Sequence, residues 1–166
     1  MANERPTVPP GATPVVGILT GSPNDVEVVG KAREVLLALG IECELLVLSA
    51  HRTPERVRRY VEEAESRGLQ VLIACAGMAN HLAGVVAAHT RLPVIGVPLA
   101  SGALGGLDAL LATVQMPPGV PVATVGIDGA KNAAYLAARI LALHNPAIAA
   151  ALDNDLAKQR ERYDHF

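Results

Sequence analysis

The sequence predicts an α/β protein in which a parallel sheet is covered by helices on both faces. Short apolar runs recur along the chain, and amphipathic helical patterns fill the intervals between them. The runs are apolar at consecutive positions, as expected of strands that are buried on both faces. Strands that alternate with helices in this way pair in parallel. The 166 residues suffice for one domain of this class.

Five apolar runs are the candidate strands, because each is rich in Val, Ile or Leu and is bounded by turn residues. We expect strands at 14–20, 42–50, 70–77, 92–99 and 120–127. The stretch from Gly102 to Gly106 is glycine-rich and predicts a pliable loop. The residues QMPPG at 115–119 predict a turn before the last strand.

Helices are expected in the intervals between these strands. The first spans 25–39, where apolar residues recur every three or four positions, and Gly40 closes it. The second follows Thr53, an expected N-cap, with Pro54 at its first position. Two further helices are expected at about 80–89 and at 129–143.

The C-terminal part of the chain predicts contacts between subunits. The helix at 129–143 is apolar nearly all round, so it should be buried on more than one side. A last helix restarts at Asn145 and carries a narrow apolar stripe of Ile148, Leu152 and Leu156. We expect residues 145–166 to form an oligomer contact, with a hairpin buried within the chain as the alternative. Residues 14–144 are then the single domain, and 1–13 a flexible lead-in.

Composition argues against several classes of protein. The net charge is −2, and the chain has no Trp and only one Phe. It therefore lacks the basic charge and the stacking aromatic residues that a nucleic-acid partner would call for. Gly, Pro or a charge interrupts every apolar run, so no membrane partner is expected. The first residues lack the apolar segment of a secretory signal, which favours the cytoplasm. Cys43 and Cys75 are expected to be buried and free, and the Cys and His spacings predict no metal site.

Polar residues follow the first strand in the stretch TGSPND, at 20–25. Gly21 and Ser22 open a helix, whose free backbone N–H groups suit a phosphate. Asp25 would repel that anion and is better placed to accept hydrogen bonds from sugar hydroxyls. The alternatives are helix capping by Ser22 or Asn24, and an acidic residue favoured by the helix dipole at Asp25.

The second polar stretch, SAHRTP at 49–54, lies in the turn between a strand and a helix. Arg52 suits bidentate binding of a phosphate. His51 suits proton transfer near neutral pH. Ser49 and Ala50 are small enough to leave room for a flat ligand. The alternative is a solvated loop in which His51 and Arg52 satisfy nearby carbonyl groups.

The third stretch is CAGMANHLAG at 75–84, and Ser101 follows the fourth strand. The small residues of the third stretch predict a cavity, and the helix that begins within this stretch offers backbone N–H donors. Six consecutive residues are candidates for binding: Gly77, Met78, Ala79, Asn80, His81 and Leu82. The alternatives are that Asn80 is an N-cap and that His81 is a buried, satisfied histidine. Signatures of P-loops, of G-x-G-x-x-G dinucleotide sites and of G-x-S-x-G hydrolases do not occur.

In this order and spacing, the motifs resemble those of the N5-carboxyaminoimidazole ribonucleotide mutases of purine biosynthesis, the class I PurE family. The resemblance runs from about Val15 to Leu143. SAHRTP is its most specific motif. The others are GSPND (21–25), AGMANHLAG (76–84), LPVIGVP (92–98), VQMPPGVPVAT (114–124) and GAKNAA (129–134).

The resemblance implies a flavodoxin-like three-layer sandwich with a five-stranded parallel sheet, assembled as a homo-octamer. It implies an isomerase that converts N5-carboxyaminoimidazole ribonucleotide to 4-carboxy-5-aminoimidazole ribonucleotide without a metal or organic cofactor. The carboxylate leaves the exocyclic nitrogen as carbon dioxide, stays trapped, and is added at ring carbon C4.

The resemblance also implies a role for each candidate residue. Ser22, Ser49 and Arg52 would hold the phosphate, and Asp25 the ribose. His51 would be the catalytic acid and base. His81 and the backbone of 77–82 would hold the carboxylate and the carbon dioxide, in a dry pocket.

The chain departs from the family pattern at several positions. Asn24 replaces a serine, Cys75 and Met78 replace glycines, Asn80 an alanine and Ala83 a proline. Asn80 is typical of a sister group, the carboxylases that add carbon dioxide directly to aminoimidazole ribonucleotide. That activity is one alternative, and a non-catalytic ribonucleotide or flavin binder of the same fold is another.

Overall fold

The computed structural model describes residues 13–164, and the expected lead-in at 1–13 lies almost wholly outside them. Five parallel strands form one sheet in the order β2-β1-β3-β4-β5. The strands are β1 (Val16–Thr20), β2 (Cys43–Val47), β3 (Val71–Gly77), β4 (Val94–Leu99) and β5 (Ala123–Thr124). The predicted flavodoxin-like architecture is confirmed.

Helices cover both faces of this sheet, as the apolar strands require. They are α1 (Val26–Ala38), α2 (Pro54–Ala64), α3 (Leu82–Ala88), α4 (Leu107–Val114), α5 (Ala130–Ala142) and α6 (Pro146–Glu161). On one face, α1 and α5 pack over Val16, Ile18 and Ile73. On the other, α2 and α3 pack over Leu19 and Leu72. None of the helices within 13–164 is long and apolar enough to cross a membrane.

The apolar stripe of α6 packs within its own chain. Ile148 and Leu152 are buried in the core that contains α5. At the other end of the helix pair, the Tyr135 hydroxyl donates to Asp155 Oδ2 at 2.7 Å. The hairpin alternative therefore accounts for Ile148 and Leu152, and a subunit contact through 145–166 would have to use other side chains.

Two elements differ from the sequence-based expectation. The last strand, expected at 120–127, has a ladder of only Ala123–Thr124. Gly96 and Pro98 both accept hydrogen bonds through their carbonyls from the segment that follows, but Pro98 has no N–H with which to continue the ladder. Helix α4 was not predicted, because the glycine-rich loop obscured the helical pattern of LDALLATV.

A charged group lies in the core beneath α2. Glu44 is 3% exposed and accepts a hydrogen bond from the Tyr60 hydroxyl at 2.8 Å. Arg67 pairs with the same carboxylate and lies over the Tyr60 ring, 5.2 Å from its centroid. Gly17 makes room for this cluster, since a methyl group added there would lie 2.3 Å from the Tyr60 hydroxyl oxygen. The buried charge is thus paired and hydrogen-bonded.

Both cysteines are free and buried, as predicted. Burial raises the pKa of the Cys43 thiol to about 11. Burial also raises the pKa of Cys75, and the nearby Asp25 carboxylate adds to that effect. Neither thiol is activated as a nucleophile.

Candidate active site

A cleft of about 350 Å³ opens at the carboxyl edge of the sheet, where the strand order reverses between β1 and β3. Four successive loops line it, one after each of the strands β1 to β4. The lining residues are Gly21, Ser22, Asn24, Asp25, Ser49, Ala50, His51, Arg52, Ala76, Gly77, Met78, Ala79, Leu82 and Ser101. Three separate candidate stretches of the sequence therefore converge on one site.

The loop after β1 presents a hydroxyl and a carboxylate. Ser22 Oγ accepts a hydrogen bond from the Asn24 N–H at 3.3 Å, so Ser22 caps the short 3-10 turn Pro23–Asp25. This bond leaves the Ser22 O–H available to donate to a ligand. Partial burial raises the pKa of Asp25, and the negative charge of Asp128 raises it further. The Asp25 carboxylate therefore favours a ligand that donates hydrogen bonds.

The loop after β2 is a closed turn. Thr53 Oγ1 accepts from the Ser49 N–H at 3.0 Å and donates to the Ser49 carbonyl at 3.1 Å. The Thr53 hydroxyl thus closes this turn, and it makes no side-chain capping bond to helix α2, contrary to expectation. Ser49 Oγ accepts from the Arg52 N–H at 3.2 Å. His51 and Arg52 are held at the apex of this turn, and both side chains are exposed.

The histidines of two different loops meet at the cleft. His51 Nε2 and His81 Nδ1 lie 2.8 Å apart, with the rings edge to face at an interplanar angle of 88°. One ring must donate and the other accept, because a neutral imidazole has one N–H. His81 is exposed, so the alternative of a buried, satisfied histidine is wrong. One hydrogen bond therefore joins the loop after β2 to the loop after β3.

The end of β3 lies close to the loop that follows β4. A methyl group added at Gly77 would lie 2.1 Å from Ser101 Oγ, so only glycine permits this approach. Met78 follows with φ of 53°, in the left-handed region that favours glycine. Its side chain lines the cleft.

Asn80 does not face the cleft. Its side chain is fully buried, and Nδ2 donates to Thr113 Oγ1 of α4 at 2.8 Å. Its Oδ1 is buried and has no partner among residues 13–164. The N–H groups of Asn80 and His81 donate to the carbonyls of Met78 and Ala79, both at 2.8 Å. We therefore correct the expectation that Asn80 contributes to binding and that the N–H groups of Asn80 and His81 are free, and the alternative that Asn80 caps the helix is also wrong.

Sequence reasoning overlooked Ala76 and Asp128. Asp128 follows β5 with φ of 57°, and its Oδ1 accepts a hydrogen bond from the Ala100 N–H at 2.9 Å. It thereby fixes the start of the loop that carries Ser101. The sequence signal was the Asp-Gly pair at 128–129, because Asp tolerates the left-handed conformation and bonds to nearby backbone.

Sequence comparison matches this chain to one family profile and to relatives that carry two different names. A family profile described as AIR carboxylase matches residues 15–162. The N5-carboxyaminoimidazole ribonucleotide mutase of Pyrococcus abyssi is 58% identical over 135 residues, which cover 81% of this chain and 78% of that protein. The phosphoribosylaminoimidazole carboxylase of Schizosaccharomyces pombe is 49% identical over 152 residues, 92% of this chain and 28% of that protein.

A solved structure agrees with the sequence comparisons. The crystal structure of Treponema denticola PurE superimposes with a TM-score of 0.84 at 32% identity, covering 92% of this chain and 95% of that chain. The family profile spans nearly all the described residues, including every loop that lines the cleft. On these grounds, this chain belongs to the AIR carboxylase family, as the resemblance of its motifs had indicated.

Proposed function

We propose that this protein is an N5-carboxyaminoimidazole ribonucleotide mutase of purine biosynthesis. The reaction moves a carboxylate from the exocyclic nitrogen of the substrate to ring carbon C4, by way of carbon dioxide. The relative from Pyrococcus abyssi bears this name, and the match covers most of both chains. The observation that carries the proposal is the cleft itself, in which His51, Arg52 and Asp25 converge.

The cleft suits a ribonucleoside monophosphate. Arg52 offers a planar, permanently charged group for the phosphate. Ser22 and Ser49 each accept a backbone N–H, so each hydroxyl keeps its own hydrogen to donate to phosphate oxygens. The Asp25 carboxylate accepts hydrogen bonds from the ribose hydroxyls, which carry no charge.

His51 carries the proton in this proposal. When the bond between the carboxylate carbon and the exocyclic nitrogen breaks, carbon dioxide departs. The electron pair stays on the nitrogen, which takes a proton from His51. When C4 attacks the carbon dioxide, His51 takes up the C4 proton. His81 lies 2.8 Å from His51 and orients its ring through the shared hydrogen bond. The small residues Ala76, Gly77 and Ala79 leave room for the carbon dioxide.

We further propose a homo-octamer in the cytoplasm. Helix α4 supports association, because Leu107, Leu111 and Val114 are exposed and lie on one face at helical spacing. Light scattering on the pure protein tests the assembly. The expected mass is about eight times the 17.2 kDa of one chain. A monomer would contradict the proposal.

One specific alternative is direct carboxylation of aminoimidazole ribonucleotide, because the relative from Schizosaccharomyces pombe is named a carboxylase. Two parallel assays separate the activities. One supplies N5-carboxyaminoimidazole ribonucleotide without bicarbonate, and the other supplies aminoimidazole ribonucleotide with saturating carbon dioxide. Fast conversion only in the first assay establishes the mutase. Efficient conversion only in the second establishes the carboxylase, and no conversion in either favours a nucleotide or flavin binder.

The role of His51 is tested by His51→Asn, which keeps a polar side chain of similar shape. We expect turnover to fall about 100-fold or more, because general acid and base catalysis is lost. Substrate affinity, measured by calorimetry, should stay near the wild-type value. His144→Asn is the matched control, since His144 is exposed and lies outside the cleft. Loss of binding together with turnover would show that His51 is structural.

A further inference from the structure

Met78 combines three unusual features at the mouth of the cleft. Its φ of 53° is a conformation that costs a residue with a side chain about 1 kcal/mol. Met78 is 58% exposed within its own chain, so packing within the chain does not compensate for this strain. The same side chain lines the cleft. Strain of this kind clusters at active sites and ligand clamps.

The Met78 side chain spans the gap between two loops. It starts from the loop after β3 and ends against the loop after β4, where a methyl group added at Gly102 would lie 3.7 Å from Met78 Cγ and 4.0 Å from its Sδ and Cε. Ser101, the neighbour of Gly102, lines the cleft from the same loop. The thioether therefore lies between these two loops at the edge of the cleft.

The chemistry of the reaction requires a cover of this kind. Carbon dioxide is small and uncharged, and Arg52 and Asp25 cannot hold it by charge. Only a barrier that excludes water keeps it beside C4 until the new bond forms. Methionine suits this role, because its side chain is apolar, unbranched and flexible enough to move aside for a nucleotide.

We propose that Met78 is the gate that retains carbon dioxide between the two half-reactions, which makes it a determinant of mutase over carboxylase behaviour. This inference rests on the proposed function. With the gate removed, the C–N bond still breaks and the nitrogen still takes its proton. The carbon dioxide then escapes, and aminoimidazole ribonucleotide is released instead of the 4-carboxy product.

The test uses single turnovers of N5-carboxyaminoimidazole ribonucleotide by excess full-length enzyme, in ¹³C-bicarbonate equilibrated by carbonic anhydrase. Mass spectrometry measures the ¹³C content of the 4-carboxy product, and released aminoimidazole ribonucleotide is measured against an enzyme-free blank. We expect Met78→Ala and Met78→Gly to raise both the label and the release at least about threefold over wild type. Met78→Leu, which restores apolar bulk, should stay close to wild type.

The control is Leu104→Ala, since Leu104 is 63% exposed on the neighbouring loop and does not line the cleft. It should give the wild-type label. An unchanged label in Met78→Ala overturns the gate, and so does a rise confined to Met78→Gly, which would assign the effect to backbone strain. If wild-type enzyme forms no 4-carboxy product, the proposed function fails, and the gate fails with it.

Discussion

Replacing Tyr60 with phenylalanine tests whether the buried Glu44 carboxylate depends on its hydroxyl partner. The substitution removes one buried hydrogen bond of 2.8 Å to a charged acceptor, while Arg67 keeps its contact with Glu44. A bond of this type contributes about 2 kcal/mol to the free energy of unfolding. We therefore expect Tyr60→Phe to lower the stability by about 2 kcal/mol at pH 8.

The difference should shrink in alkali. Burial, followed by the negative charge of Glu44, raises the pKa of Tyr60 above its ordinary value. Above pH 10 the unfolded state loses this proton while the folded state keeps it, so the wild-type stability falls as pH rises. With an unfolded pKa of about 10, the wild-type advantage at pH 11 should be about 1.4 kcal/mol smaller than at pH 8.

Urea unfolding followed by circular dichroism measures both effects, at one protein concentration because assembly shifts apparent stability. Tyr163→Phe is the matched control, since Tyr163 is 77% exposed, and it should change the stability by less than about 0.5 kcal/mol. A wild-type advantage that is the same at pH 8 and pH 11 would refute the reasoning.

Three further predictions concern packing and charge. Gly96→Ala should destabilise by about 1–3 kcal/mol in thermal unfolding, since its methyl group would lie 2.3 Å from Thr113 Cγ2. Gly30→Ala, in α1 with no neighbour within 4 Å of the new methyl group, should instead stabilise the protein by about 0.5–1 kcal/mol. Equal changes in stability for Gly96→Ala and Gly30→Ala would contradict the close packing around Gly96. Asp25→Asn should raise Tm at pH 7, because the raised pKa of Asp25 means that folding disfavours its charged form. The gain should vanish near pH 3, where Asp25 is protonated in both the folded and the unfolded state. A gain in Tm that persists at pH 3 would contradict this reasoning. Asn80→Ala and Thr113→Val should each destabilise by about 1–3 kcal/mol, and the double variant by less than their sum, whereas strict additivity would argue against their bond.

Strands β1 to β4 and three of the site loops could be predicted from the sequence, because the signals for them are local. Apolar runs mark buried strands, and Gly40, Pro54 and Gly129 mark the ends of helices α1, α2 and α5. Parallel pairing then brings the strand ends to one edge, so Ser22, His51 and Met78 could be expected to meet. The family and its mutase activity were also identified from these motifs.

The remaining features depend on contacts that are distant in the sequence. His51 meets His81 across 30 positions, and Asn80 meets Thr113 across 33. No local pattern specifies either pair, and an Asn before a helix most often indicates a cap. Neither the binding role nor the capping role expected of Asn80 is therefore found. The short β5 depends on the missing N–H of Pro98 in a neighbouring strand, which the sequence of 120–127 does not reveal.

The two-residue ladder of β5 limits how copies of this chain can associate. Long, flat edge strands present rows of unpaired N–H and C=O groups on which another chain can add a strand. Here the edge pairs only Ala123 and Thr124, and Pro121 close by removes a further donor. Sheet continuation and edge-to-edge aggregation are disfavoured on this side. Assembly there has to rely on side chains, whose shape and polarity admit only a matching surface.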